Sequence, residues 1–202
     1  MRKGGYRDRF LAVAALMRQS EPRPQGSGPW EDRAMPIPLA YLITFSCYGT
    51  RLHGDEAGSV DRDHNLAGTP FLQPRPARAV FEEKQMERDA FRLDEHQRQI
   101  VLEAIQKHCI HRRWKLKAAH VRSTHIHFVV SADLPPEKIL NEVKAYASRA
   151  LNRQGGEDAL GRRWTRHGST RYLWKPESGA AAIHYVVKEQ GEPMVLWWDE
   201  EG

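Results

Sequence analysis

Thr124-His125-Ile126-His127-Phe128-Val129-Val130 sets two histidines around one bulky apolar residue and then runs on without a polar break. β-Branched and aromatic residues favour a strand. Side chains alternate along a strand, so His125, His127 and Val129 point one way and Ile126, Phe128 and Val130 the other. One face can be core while the opposite face presents two imidazoles. Alternate positions lie roughly 7 Å apart, which lets two ring nitrogens converge on one cation. A half-buried strand carrying two solvated histidines is the plainer reading of the same residues, and the rest of the chain has to decide.

Working outward, Trp114 to Val121 alternates as a strand, and Arg122-Ser123 is read as a tight turn that makes a hairpin with the histidine strand. Leu39 to Tyr48 is an earlier strand, with Leu39, Tyr41, Ile43, Phe45 and Cys47 on one face and Ala40, Leu42, Thr44 and Ser46 on the other. Asp94 to Arg112 is a helix: Asp94 and Gln97 form a capping-box pattern, and Val101, Leu102, Ile105 and Cys109 make its buried stripe. Pro135 and Pro136 open another helix to about Arg153, with Ile139, Val143, Ala147, Ala150 and Leu151 on its core side. Residues 161–176 are dense in arginine and aromatics and allow a further strand. Ser178 is read as the cap of a last helix, Gly179 to Gln190, closed by Gly191. Trp197 and Trp198 are read as packing residues. The order strand, helix, strand, strand, helix, strand, helix predicts an α+β fold: a ferredoxin-like antiparallel sheet packed against helices.

The chain has 202 residues, 40% hydrophobic and 28% charged, with a formal net charge of +5. That length suits one domain with appendages, here residues 37–202 carrying an irregular insertion over 50–92. Residues 1–36 form an N-terminal extension, expected to be disordered or to precede the natural start at Met35. A short helix is expected around Val80–Arg88. The positive charge suits a polyanionic partner, nucleic acid before an anionic membrane. No apolar run approaches the roughly 20 residues of a spanning helix, so no membrane segment is expected. Cys47 and Cys109 form no Cys-x-x-Cys motif, which fits a reducing, cytoplasmic setting.

Two imidazoles make an incomplete metal site. The last helix supplies Tyr185, Glu189 and Gln190. Tyr185 and Glu189 lie one turn apart on one face, while Gln190 falls nearer the stripe expected to face the sheet. A set of two histidines and an amide or carboxylate suits Mg²⁺ or Mn²⁺ and leaves room for a phosphate oxygen. A tyrosine beside it could attack a phosphodiester and conserve the bond energy as a phosphotyrosine. In the basic segments, Lys144, Arg149, Arg166 and Arg171 are candidates for contacts to a DNA backbone.

His125-Ile126-His127 resembles the His-hydrophobe-His signature of HUH single-strand nucleases. With a tyrosine on a later helix, the chain resembles the small single-tyrosine transposases of insertion sequences and their REP-associated relatives. Tyr41 to Gly49, Ala119 to Ala132 and Lys144 to Gly191 carry the match. The resemblance implies that Tyr185 is the nucleophile, that His125 and His127 hold the metal, and that the product is a covalent 5′-phosphotyrosine on single-stranded, hairpin-forming DNA. It also raises a possible homodimer. Many relatives place a glutamine four residues after the tyrosine as third ligand. Here Glu189 stands there and Gln190 follows; Gln190 is preferred for its place on the sheet-facing stripe, with Glu189 as the alternative. Tyr146 comes too early to match the nucleophile and is read as packing. The competing class is a non-catalytic single-stranded nucleic-acid-binding module on the same sheet plan, and a water-using zinc hydrolase is a third.

Overall fold

The computed structural model describes residues 37–50, 77, 80–81, 84–86, 88–155 and 161–200. The N-terminal extension, the Met35 start and most of the 50–92 insertion lie outside them. Contacts divide the chain into two units, Met1–Pro22 with Arg51–Asp89 and Arg23–Thr50 with Ala90–Gly202. In the first, residues 77, 80, 81 and 84 are helical, on the stretch where a short helix is expected. The architecture below belongs to the second.

Its described elements are β1 (Ala40–Ser46), α1 (Glu95–Arg112), β2 (Lys115–Val121), β3 (His125–Ser131), α2 (Pro136–Asn152), β4 (Ser169–Leu173), α3 (Pro176–Lys188) and β5 (Val195–Trp198). The five strands form one sheet in the order β4-β1-β3-β2-β5, and every pairing is antiparallel. The α+β expectation holds, with two refinements. The tail adds a fifth strand that pairs Trp197 with Ala119 and Trp198 with Ala118. The last helix starts earlier than expected, with Pro176 in its first turn and Lys175 as N-cap, so Ser178 lies inside it. Proline fits a first helical turn because its missing N–H has no partner to lose there.

Strand alternation separates the faces as the sequence implies. Tyr41, Ile43 and Phe45 of β1, Ala119 and Val121 of β2, and Ile126, Phe128 and Val130 of β3 join one apolar core with Val101, Leu102 and Ile105 of α1 and Ile139, Val143 and Ala147 of α2. A bulge between Leu116 and Ala118 resets the alternation of β2. The opposite face carries Leu42, Thr44, His120, His127 and Val129. Helix α3, which touches β2, β3, β4 and β5, lies over that side through Ala182 and Val186. The imidazole face is therefore roofed by a helix.

The α1 cap has the expected form: the Asp94 carboxylate accepts from the Gln97 backbone N–H at 2.7 Å, and the Gln97 side chain accepts from the Asp94 N–H at 3.1 Å. Asp94→Ala should lower stability by about 1 kcal/mol in urea unfolding, since it leaves a first-turn N–H without its side-chain acceptor.

Candidate active site

Strand β3 lies at the centre of the sheet. Thr44 and Ser46 of β1 stand opposite His127 and His125, and His120 of β2 stands opposite His127 from the other side. The two imidazoles of the His-x-His pair have ring centroids 4.8 Å apart. Each is held at Nδ1 by a threonine hydroxyl: Thr44 Oγ1 lies 2.7 Å from His127 and Thr124 Oγ1 lies 2.9 Å from His125. A hydroxyl that accepts from Nδ1–H fixes the tautomer whose lone pair is on Nε2, the form that ligates a cation. His127 is buried and His125 half-buried.

Helix α3 brings Tyr185 to the same place. Its ring lies 5.5 Å from that of His127, edge-on at 81°. The phenol and the paired imidazoles thus meet within one chain. The two candidates that follow Tyr185 part company at the helix end. Glu189 is the C-cap residue, and its carboxylate turns back to His184 Nδ1 at 2.9 Å. Gln190 is buried, and its Nε2 donates to the Tyr185 carbonyl at 3.2 Å. With the amide nitrogen used in this way, Oε1 is the atom left to act as a ligand. Gly191, at φ 79°, then turns the chain through the left-handed region that glycine tolerates. Among the described residues, no group of three His, Cys, Asp or Glu could hold a metal ion. Two imidazoles and one amide oxygen could serve as donors, and oxygen and imidazole donors suit a hard or borderline divalent ion.

The four basic candidates fall in different places. Arg171 stands opposite Leu42 on the imidazole face. Arg166 is exposed in the segment leading to β4. Arg149 is exposed on α2, in the layer behind the sheet, with its guanidinium 4.2 Å over the Tyr146 ring. Tyr146 in turn stacks on His108 at 3.8 Å, in keeping with a packing role. Lys144 faces inward: it is buried, and its Nζ donates to the carbonyls of Thr165 at 3.0 Å and His167 at 3.1 Å. Burial pulls this ammonium down to about 8, with Arg162 adding to the effect. Its work is to hold the approach to β4, helped by Trp164, whose Nε1 donates to the Lys144 carbonyl at 3.1 Å. Lys144→Met should lower stability by about 1–3 kcal/mol, because two carbonyls lose their donor; the urea midpoint measures it.

Two residues of the site had not been singled out from the sequence. Gly168 lets the chain press against β1: a Cβ there would lie 2.6 Å from the Thr44 carbonyl oxygen. His120 is 1% exposed, with both ring nitrogens engaged. The hairpin gave a signal for His120. The two loop residues are Ser123 and Thr124, with Arg122 N–H bonded to the His125 carbonyl at 3.0 Å, one place later than the expected turn. Either placement sets His120 across from one histidine of the pair. Cys47 and Cys109 are buried free thiols, pushed up to about 12 by desolvation, which disfavours the thiolate. Among the described residues no helix is long and apolar enough to cross a membrane.

The family described as transposase IS200 like matches residues 83–181, a stretch that contains His125 and His127 and ends before Tyr185. Two solved structures are similar. One is a REP-associated tyrosine transposase bound to a REP hairpin, at 13% identity and TM-score 0.42 over 78% of this chain and 70% of that one. The other is a putative transposase from Deinococcus radiodurans R1, at 10% identity and TM-score 0.40 over 81% of this chain and 100% of that one. No curated protein matches the chain. The family match lies over the histidine strand and the α1–α2 layer, and over that stretch, residues 83–181, the chain is that of an IS200-like transposase.

Proposed function

We propose that the protein is a metal-dependent endonuclease and strand transferase for single-stranded, hairpin-forming DNA, with Tyr185 as its nucleophile. The observation that carries this reading is the Tyr185 ring 5.5 Å from His127, in the same chain as the imidazole pair. Tyr185 Oη attacks the scissile phosphorus. A bond from phosphorus to the phenol oxygen forms, the bond to O3′ breaks, the phenol gives up its proton, and the departing O3′ gains one. The protein is left joined to the 5′ phosphate, and the reverse attack by a 3′ hydroxyl rejoins a strand.

His125 and His127 through Nε2, and Gln190 through Oε1, are the residues that would hold Mg²⁺ or Mn²⁺. When bound, such an ion would polarise the phosphate as a Lewis acid. Glu189 is the weaker candidate, because its carboxylate is paired with His184. Arg171, on the imidazole face, and the exposed Arg166 are the candidates to hold the DNA backbone. The phenol reaches the imidazoles without a second copy of the chain, so the reading does not require a dimer.

The test is incubation with a pool of labelled single-stranded hairpins, with and without Mn²⁺, followed by a denaturing gel. A labelled band that migrates with the protein, and only with the ion, is the expected result. Binding without cleavage at any ion concentration would favour the non-catalytic module, and cleavage without a protein-linked band would favour a water-using hydrolase.

A further inference from the structure

We propose that His120 is a positioning residue, a neutral imidazole that ties the Tyr185 turn of α3 to the centre of the sheet. The inference rests on the reading of Tyr185 as nucleophile. His120 lies on β2 directly opposite His127, the ring nearest the phenol, and is 1% exposed. Its Nδ1 lies 3.1 Å from the carbonyl oxygen of Val186, the residue after Tyr185. Its Nε2 lies 3.2 Å from the backbone nitrogen of Met194.

These partners determine the proton. The Met194 N–H can only donate, so Nε2 is the acceptor. The Val186 carbonyl can only accept, so Nδ1 carries the hydrogen. The ring is neutral and fully used. Burial, which disfavours the imidazolium, acts in the same direction.

The Val186 carbonyl is one of the last four of α3, which a helix end leaves for outside partners. Gln190 adds a side-chain donor to the Tyr185 carbonyl, which also accepts from the Glu189 N–H. The chain that leaves α3 is held by the other half of the ring at Met194, and by Arg122, whose Nη1 donates to the Glu192 carbonyl at 3.0 Å. One side chain therefore fixes both the end of the nucleophile's helix and the return into β5. Leucine would fill the volume, but it would leave the buried Val186 carbonyl without its donor and the Met194 N–H without its acceptor.

The experiment compares the full-length chain with His120→Leu and His120→Asn, using one labelled single-stranded hairpin that the wild type cleaves. Asparagine can place an amide N–H near the position of Nδ1. His120→Leu should slow adduct formation about 10–100-fold, the cost expected for an ångström-scale misplacement, with hairpin affinity unchanged. His120→Asn should recover part of the rate. Amide exchange should quicken at 187–190 and at Met194 in the leucine variant while β3 stays protected. An unchanged rate and unchanged exchange in His120→Leu would overturn the proposal. So would a rate loss that asparagine does not recover and that is matched by faster exchange throughout β3. A wild-type chain that forms no adduct defeats the nuclease reading instead, and the exchange comparison then still decides whether His120 ties the helix down.

Discussion

Tyr185→Phe should leave no covalent protein–DNA band under conditions where the wild type forms one, and should bind the same hairpin with nearly unchanged affinity. The substitution removes one oxygen and keeps the ring. The edge-on contact with His127 at 5.5 Å is made by the ring, so packing under α3 is preserved. Val186 still meets His120 and the Tyr185 carbonyl still meets Gln190, because both contacts use the backbone. What is lost is the only atom proposed to bond to phosphorus. The expected change is therefore complete loss of adduct, not a graded slowing. A residual band in the phenylalanine variant would point to another nucleophile. Loss of binding together with the band would point to a damaged fold, and the melting temperature separates the two.

Gly168→Ala should be the most damaging single-methyl change near the site, costing about 3 kcal/mol, at the upper end for overpacking. The added Cβ would lie 2.6 Å from the Thr44 carbonyl oxygen and 3.0 Å from Leu140 Cδ2. A leucine tip can rotate away. The Thr44 carbonyl cannot, because its strand pairs with β3 on one side and β4 on the other. Either β4 withdraws or Thr44 shifts, and Thr44 Oγ1 is what holds His127 Nδ1 at 2.7 Å. The variant should lose stability in urea and also form adduct more slowly than stability alone accounts for. If its urea midpoint matches that of the wild type, the close approach at Gly168 is not the constraint described above.

The parts of this architecture that follow from local rules were legible in advance. Alternation placed His125 and His127 together and assigned Ile126 and Phe128 to the core. The Asp94–Gln97 pair marked the start of α1, and the apolar spacing of α2 gave its buried side. What was not legible depends on the third dimension. Lys144 looked like a surface cation on a polar helix face, yet the path of residues 165–167 covers it and supplies its acceptors. Between Glu189 and Gln190 the stripe favoured Gln190, but that the helix stops at Lys188, sending Glu189 to His184 and leaving Gln190 buried, was not readable from spacing. Trp197 and Trp198 were read as packing residues; that they do so as a strand on the open edge of β2 does not show in a stretch of four residues, which gives little periodicity.

The two reacting halves are secured by different means. The histidines sit on the innermost strand, whose backbone is engaged along both edges, so their mutual spacing is as invariant as the sheet. The phenol rides on an overlying cylinder moored by side chains. Any tolerance in the alignment of attacker and target accordingly falls on the tyrosine's side, and sequence drift that retunes turnover should collect among the moorings of α3 while the histidine strand stays still.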